Sequence, residues 1–103
     1  MGLMEWVVFL GHAGAQVGEN CIINTNSVIE HDAIIGDQCH ISTGAIINGD
    51  VKVGDQTFVG SRAVIKEGIK IGKKTVISAN IFIKKNLINK TTIRNWIKTK
   101  IFY

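Results

Sequence analysis

The chain contains 103 residues with a formal net charge of +4, and it carries eleven glycines but no proline. A chain of this length folds as one domain at most and buries a limited core by itself, so we expect copies of it to associate. No apolar run is long enough to span a membrane, and the opening MGLMEWVVFLGHAG lacks the basic start and long apolar stretch of a signal peptide, so we expect a cytoplasmic protein without a membrane partner.

Isoleucine and valine together supply 27 residues, which favours β-structure over helix. The two cysteines, Cys21 and Cys39, form neither a zinc-binding pattern nor a disulfide framework, so we expect buried, reduced thiols and no bound metal. The last acidic residue is Glu67, and nine lysines or arginines follow it. Such a block could meet the phosphates of a nucleotide cofactor, a nucleic acid or a membrane surface, but a solvated basic tail is equally consistent with it, and we expect no nucleic-acid partner.

A regular six-residue repeat begins near residue 17, and the segment before it, from Trp6 to Gln16, is predicted to form an irregular coil. Every sixth residue is isoleucine or valine over twelve consecutive positions: Val17, Ile23, Ile29, Ile35, Ile41, Ile47, Val53, Val59, Ile65, Ile71, Ile77 and Ile83. The residue two positions before each of them is mostly small or apolar. Because a strand places residues i and i−2 on the same side, each hexad contains one short strand.

Turn-like triplets such as GEN, EHD and NGD follow these aliphatic residues, and Gly, Asn and Asp tolerate the left-handed backbone of a sharp corner. A hexad spans roughly 20 Å, so three of them close a triangular coil of eighteen residues. Stacked coils pair in parallel around a core of isoleucine and valine. The sequence therefore predicts an all-β, parallel β-helix over residues 1–88, with four regular coils over 17–88 and a fifth, irregular one before them.

Positions eighteen apart stack into outward columns on the three sides of the predicted coil. Two columns are largely apolar: Ile22, His40, Phe58 and Val76 on one side, and Val28, Ile46, Val64 and Phe82 on the next. The third column suits water better: Ile34, Lys52, Lys70 and Ile88. Exposed apolar faces of this kind mark an interface, so we expect a closed homo-oligomer.

Residues 89–103, NKTTIRNWIKTKIFY, are predicted to form a C-terminal tail. Two threonines that can cap a helix are followed by four residues at helical spacing: Ile93, Trp96, Ile97 and Lys100. We therefore expect a short helix that covers the open end of the coil.

His31 and His40 lie nine residues apart, which is half of one predicted coil. This spacing puts His31 at a corner and His40 in the middle of the opposite side, roughly 17 Å away for sides of 20 Å. The two side chains cannot share a site within one chain, so a joint role needs one from each of two neighbouring copies. The spacing alone leaves a second interpretation open, in which both are incidental polar residues.

The repeated pattern of an aliphatic, a small residue, two free positions and a small residue resembles the left-handed parallel β-helix of the hexapeptide-repeat acyltransferases. The left hand is implied by that resemblance. The stretch INTNSVIEHDAIIGDQCHISTGAIINGDVKVG is similar to the bacterial sugar acetyltransferases that include nucleotide-aminosugar N-acetyltransferases and sialic acid O-acetyltransferases. This resemblance covers about residues 11–88. It implies a homotrimeric, acetyl-CoA-dependent acetyltransferase that acts on an amino or hydroxyl group of a sugar or nucleotide sugar.

Catalytic roles for three residues are implied by the same resemblance. His31 matches the general base that takes the proton from the attacking amine or hydroxyl, and the adjacent Asp32 orients its imidazole. Gly49 lies one coil above His31 at the same corner, and its backbone N–H is implied to meet the thioester carbonyl as negative charge grows.

Contacts to acetyl-CoA are implied for His40, Ser61 and Ala79. Ser61 and Ala79 stack on a second corner with Thr25 and Thr43, where they would otherwise count as ordinary turn residues. Four lysines could approach the phosphates of the cofactor or simply be solvated: Lys73, Lys74, Lys84 and Lys85.

The sequence also departs from these relatives, which usually carry an N-terminal Rossmann-like domain that holds the nucleotide, whereas this chain starts after that domain would end. IRNWIK stands where the relatives usually have Gly-Asn-Pro-Ala-Lys, and SAN at 78–80 replaces a glycine-rich turn. These departures support an alternative, a truncated or catalytically degenerate relative that acts only as a trimerising scaffold.

A third hypothesis is a zinc lyase that resembles the γ-class carbonic anhydrases. It needs three converging histidines, and the spacings between His12, His31 and His40 are unlike the ligand arrangement of that family.

Overall fold

The protein folds as a triangular solenoid of short parallel strands. The structure, a computed structural model, describes the backbone of residues 9–11 and the whole of residues 14–94. The strands of these described segments are β1 (Phe9–Gly11), β2 (Gln16–Val17), β3 (Ile22–Ile23), β4 (Ser27–Ile29), β5 (Ile34–Ile35), β6 (His40–Ile41), β7 (Ile46–Ile47), β8 (Lys52–Val53), β9 (Phe58–Val59), β10 (Val64–Ile65), β11 (Lys70–Ile71), β12 (Val76–Ile77), β13 (Phe82–Ile83) and β14 (Thr92–Ile93).

Three parallel sheets form the faces of the solenoid. The first face has the order β1-β4-β7-β10-β13, the second β2-β5-β8-β11 and the third β3-β6-β9-β12-β14. Partners in the regular part lie eighteen residues apart, as in the pairs Ile23↔Ile41 and Ile29↔Ile47. The described residues measure 38 Å along the longest axis and 21 × 20 Å across, which matches sides of about 20 Å. The predicted fold class, a left-handed parallel β-helix of hexapeptide repeats, is confirmed.

The aliphatic residue of each hexad points into the core. The largest buried aliphatic side chains include Ile23, Ile29, Ile35, Ile41, Ile47, Ile65, Ile77 and Ile83. Each buried isoleucine removes its side chain from water, which stabilises the fold by about 2 to 3 kcal/mol. The six-residue period therefore places one strong apolar contact on every side of every coil.

A left-handed backbone conformation recurs at every sixth residue and turns the chain at each corner. From Gly14 to Asn80 one residue in each hexad has a positive φ between 54° and 81°. Asparagine, aspartate and glycine occupy most of these positions, since they adopt this conformation at the lowest cost. The three corners of the coil are here named the glycine corner (triplets 18–20, 36–38, 54–56 and 72–74), the serine corner (24–26, 42–44, 60–62 and 78–80) and the His31 corner (30–32, 48–50 and 66–68).

A ladder of buried polar side chains ties the core to the glycine corner. The thiols of Cys21 and Cys39 donate to the carbonyl oxygens of Gly36 and Gly54, each at 3.1 Å. The hydroxyl of Thr57, one coil higher, donates to the next carbonyl at 2.9 Å. Burial raises the pKa of both thiols, and that of Cys39 reaches about 11. Both cysteines are free and buried, as predicted.

The repeat shortens after Ile83, which the sequence analysis did not predict. Leu87 bridges to Ile71 and Ile93 pairs with Ile77, so partners there lie 87 − 71 = 16 and 93 − 77 = 16 residues apart. The prediction that Ile88 continues the outward column above Lys70 is therefore wrong. Ile88 follows Leu87 at the next corner, where it is 81% exposed.

The solenoid continues past residue 88, because β14 stacks on β12. Ile93, the first residue of the predicted terminal helix, lies in this strand, since its side chain fills the core column above Ile77. The other residues that suggested a helix, Trp96, Ile97 and Lys100, lie outside the described residues. At the other end β1 and β2 stack on β4 and β5, as expected for an additional coil, and residues 1–8 are not described.

Two outer faces carry apolar columns. On the third face Ile22 and Val76 are 36% and 40% exposed, and on the first face Phe82 is 50% exposed. The second face instead presents the exposed Lys52 and Lys70. None of the described segments forms a helix long and apolar enough to cross a membrane.

Candidate active site

The His31 corner begins where β4 ends and leads the chain from the first face to the second. Asp32 adopts a φ of 60°, which turns the backbone sharply and leaves His31 at the outside of the corner. Both side chains are 61% exposed. The local sequence thus presents an imidazole and a carboxylate at an open edge of the solenoid.

His31 lies between Asp32 and Gly49. Its Nδ1 is 3.5 Å from Oδ2 of Asp32, a distance at which the carboxylate orients the ring and can pair with it once it is protonated. The face of the ring lies against Gly49 of the next coil, because a Cβ added to this glycine would lie 2.7 Å from Nε2 and from Cε1 and 3.2 Å from Nδ1. Any side chain at residue 49 would push the imidazole away, so the glycine allows the ring to lie against the backbone.

A pocket of about 200 Å³ opens at this corner. It is lined by Glu30, His31, Asn48, Gly49, Asp50 and Glu67. Three of these residues are acidic, so the pocket has a negative electrostatic character. The three acidic residues and Asn48 were not predicted from the sequence, although adding eighteen to Glu30, Asp32 and Gly49 leads directly to Asn48, Asp50 and Glu67.

The backbone N–H of Gly49 is available to a ligand. Among the residues that the structure describes, no acceptor for it is found. At the same position of the glycine corner, the N–H groups of Glu19 and Asp37 donate to carboxylate oxygens from the next coil, at 2.9 and 2.8 Å. This position of the repeat therefore binds a negatively charged oxygen elsewhere in the same molecule, which is the property that an oxyanion site needs.

His40 lies in the middle of the third face, away from the His31 corner. The ring is half-buried and makes an edge-to-face contact with Phe58, with centroids 5.1 Å apart and planes at 71°. Its Nε2 lies 3.2 Å from Nδ2 of Asn24. Asn24 was not singled out in the sequence, since only the side-chain geometry reveals this contact.

Ser61 and Ala79 stack at the serine corner, next to the third face. The hydroxyls of Ser42 and Ser61 are 3.0 Å apart. Gly60 permits the close approach of the chain above, because a Cβ on it would lie 2.6 Å from the backbone nitrogen of Ala79. Both residues are half-buried in the single chain.

The structure thus brings the predicted site residues together in two groups. His31, Asp32 and Gly49 form one cluster, and the second group combines His40 with the serine corner. In one chain the two groups lie on different sides of the triangle, as predicted. The individual roles assigned to these residues stay predictions.

The four lysines considered for phosphate binding are exposed, Lys73 and Lys74 at the glycine corner and Lys84 and Lys85 above the His31 corner. Within residues 14–94 no group of three or more His, Cys, Asp or Glu side chains could hold a metal ion. His12, which the zinc hypothesis requires, lies outside the described residues.

Sequence profiles of two repeat families match adjacent parts of the chain. "Bacterial transferase hexapeptide (six repeats)" matches residues 14–49, and "Hexapeptide repeat of succinyl-transferase" matches residues 50–85. Fold and corner geometry define the class, a hexapeptide-repeat solenoid. The chain belongs to the hexapeptide-repeat transferase family.

Solved structures with the same fold include several acetyltransferases. WeeI from Acinetobacter baumannii AYE has a TM-score of 0.74 at 23% identity, over 84% of this chain and 50% of that one. A variant of perosamine N-acetyltransferase from Caulobacter crescentus, in complex with CoA and GDP-perosamine, has a TM-score of 0.70 at 18% identity, over 82% and 49%. The acetyltransferase domain of PglB from Neisseria gonorrhoeae FA1090 has a TM-score of 0.63 at 14% identity, over 84% and 53%.

At these identities the similarity establishes the fold alone. This chain spans about half the length of each of these three structures. No curated protein matches the sequence.

Proposed function

We propose that the protein is an acetyl-CoA-dependent acetyltransferase that acts on an amino or hydroxyl group of a sugar or nucleotide sugar. His31 serves as the general base, at an interface between two copies of the chain. The observation that carries this proposal is the contact between the His31 ring and the backbone of Gly49. It puts a proton acceptor beside an N–H donor for which the described residues supply no acceptor, at the wall of one pocket.

The chemistry follows from the two edges of the imidazole. Asp32 faces Nδ1 and leaves Nε2 to accept the proton of the attacking nitrogen or oxygen. The nucleophile forms a bond to the thioester carbonyl carbon, and the N–H of Gly49 donates to the carbonyl oxygen as it becomes negative. The carbon–sulfur bond then breaks, and the proton held by His31 passes to the departing thiolate of CoA.

Within this substrate class, the acidic pocket favours an amine over a hydroxyl. Asp50 and Glu67 line the pocket together with Glu30, and carboxylates stabilise an ammonium ion close to them. The bound ammonium loses one proton to water through the open side of the pocket before the neutral amine attacks. A neutral hydroxyl can donate a hydrogen bond to these carboxylates but gains no attraction between opposite charges.

The cofactor in this proposal is acetyl-CoA, contacted by His40, Ser61 and Ala79 of a neighbouring copy. Support comes from the perosamine N-acetyltransferase structure, which contains CoA, and from a second structure of the PglB acetyltransferase domain, which contains acetyl coenzyme A. The proposed location is the cytoplasm.

The proposed assembly is a homotrimer. The first and third faces both carry apolar columns, and they differ from each other, since the first ends on Phe82 whereas Thr92 follows Val76 on the third. Two different faces that pack against each other form a head-to-tail contact, which closes into a trimeric ring when neighbours are related by one third of a turn. In this arrangement His31 lies at the edge of one interface face and His40 in the middle of the other.

The proposal is tested by following CoA release from acetyl-CoA with amino sugars and their hydroxyl counterparts, free and nucleotide-linked. His31→Ala should lower the rate by about 10²- to 10⁴-fold, the range of general-base catalysis. Glu19→Gln at the glycine corner is the matched control and should keep the rate. Equal turnover with and without His31 would refute its role, and no turnover in any variant would favour the trimerising scaffold.

The preference for an amine is tested separately with Glu67→Gln. Removing this charge should raise KM for the amino sugar by about fivefold without changing turnover of a hydroxyl acceptor. An equal effect on both acceptors would contradict charge recognition.

A further inference from the structure

The side chain of Asn24 contacts the ring of His40. Asn24 is the first residue after β3, and its backbone N–H donates to the carbonyl of Ile41 at 2.9 Å, so it is anchored beside the ring. Its Nδ2 lies 3.2 Å from Nε2 of His40. An amide nitrogen carries two hydrogens and can only donate, so Nε2 is the acceptor. This contact fits a neutral imidazole whose proton is on Nδ1.

Two further contacts restrict the same ring. His40 pairs with Phe58 of the next coil in register, and the two rings meet edge to face. On the other side His40 pairs with Ile22 of the coil below. With Asn24 at Nε2, the ring is held in position and in plane. For Nδ1, the described residues supply no hydrogen-bond partner.

We propose that Asn24 is a positioning residue that holds His40 in the Nδ1–H tautomer and thereby offers a hydrogen-bond donor to a carbonyl oxygen of acetyl-CoA. A thioester or amide carbonyl can only accept, so the other tautomer would set a lone pair of His40 against a lone pair of the ligand. The identity of the ligand rests on the function proposed above. The tautomer is a property of the free protein and stands apart from it.

The tautomer is measured by correlating the ring nitrogens and carbon-bound hydrogens of ¹⁵N-labelled histidines by NMR, in the free protein at alkaline pH. His40 should give a protonated, pyrrole-type Nδ1 and an unprotonated, pyridine-type Nε2. Asn24→Asp replaces the donor by an acceptor, so the proton should move to Nε2, and Asn24→Ala should give a mixture.

Asn86→Ala is the matched control for this measurement. Asn86 accepts a hydrogen bond from the backbone of Lys70 at 2.8 Å, on another side of the coil, so its loss should leave the His40 signals unchanged. A proton on Nε2 in the unaltered protein would overturn the proposal. So would a tautomer that does not respond to Asn24→Asp.

The ligand is tested by calorimetric titration of the same proteins with acetyl-CoA. Asn24→Asp and His40→Ala should each weaken binding by about tenfold and Asn24→Ala by two- to fivefold, the range for one hydrogen bond. Adding Asn24→Ala to His40→Ala should weaken binding no further, because the two residues act as one unit. Additive losses would mean that Asn24 acts independently of His40.

The two proposals fail in different ways. If Asn24 sets the tautomer but every variant binds acetyl-CoA as the unaltered protein does, the positioning role is overturned while the proposed function is untouched. If the unaltered protein shows the expected tautomer but does not bind acetyl-CoA, the proposed function fails and the carbonyl-binding role of His40 fails with it.

Discussion

The glycine corner and the His31 corner have the same backbone but different contents. At the glycine corner, carboxylates from the coil above accept the N–H groups of Glu19 and Asp37. At the His31 corner the corresponding N–H, that of Gly49, has no such acceptor within the described part of the chain, and the ring of His31 lies against this glycine instead. At the glycine corner carboxylates accept two of these N–H groups, whereas at the His31 corner the N–H of Gly49 meets no acceptor among the described residues and lies beside an imidazole.

The two corners differ in their side chains and not in their backbone. The six-residue period determines the position of every backbone donor, and it does so equally at all three corners. The side chains of a few positions then decide whether a donor is used internally or is left at the wall of a pocket. In the proposed mechanism, function depends on which side chains lie beside one of these donors rather than on a separate element of the fold.

The largest expected effect is on stability, from Gly54→Ala at the glycine corner. The added Cβ would lie 2.6 Å from the backbone nitrogen of Lys73 and 2.7 Å from the carbonyl carbon of Gly72, and neither atom can move without separating two coils. We expect a loss of about 3 kcal/mol or more in the free energy of unfolding, measured by denaturant titration. A loss below about 0.5 kcal/mol would mean that this corner is not closely packed.

Gly49→Ala should leave stability nearly unchanged but lower the rate of acetyl transfer. The three atoms nearest to the new Cβ all belong to the ring of His31, which can swing outward because it is 61% exposed, so stability should change little. The displaced base and the obstructed N–H should lower the rate of acetyl transfer by about 100-fold, equivalent to about 2.7 kcal/mol. Kinetics and denaturant titration on one preparation measure both quantities, and an unchanged rate would contradict the proposed geometry.

A smaller effect is expected from the thiol that ties the glycine corner to the core. Burial raises the pKa of Cys39 from 9.0 to about 11, so the folded protein retains this proton more tightly than the unfolded chain does. Its contribution to stability is therefore complete below pH 9 and is lost as the pH rises to 11, by up to about 1.4 kcal/mol per pH unit. The raised pKa of Cys21 acts in the same direction.

Unfolding titrations between pH 8 and 11 measure this dependence. Cys39→Ala is the matched comparison and should flatten it, since that variant has no thiol to titrate at this position. An equally steep dependence in the variant would assign the effect to other groups.

The fold and half of the site geometry could be predicted from the sequence, because the period is six and the coil is eighteen residues. This arithmetic was sufficient to stack Gly49 on the His31 corner and to separate His31 from His40. The same eighteen-residue count, applied to Asp32 and Gly49, would also have found Asp50 and Glu67.

Other features required the structure. A strict six-residue count places residue 89 in the core, but that residue is an asparagine, and Leu87 takes the position instead. The last coil is therefore two residues shorter. The sequence shows the mismatch at residue 89 but does not show that Leu87 replaces it. The contact between Asn24 and His40 depends on side-chain torsions that no spacing encodes. The use of the N–H groups of Glu19 and Asp37 depends likewise on which carboxylates reach them.

Mixing two defective variants tests the central claim, a site shared between copies, most directly. His31→Ala and His40→Ala proteins are each assayed at low acetyl-CoA concentration, then unfolded together in equal amounts, refolded and assayed again. Random association should restore about a quarter of the unaltered activity, since one interface in four then combines an intact His31 with an intact His40 from its neighbour. A mixture no more active than the average of the two separate variants would contradict the account.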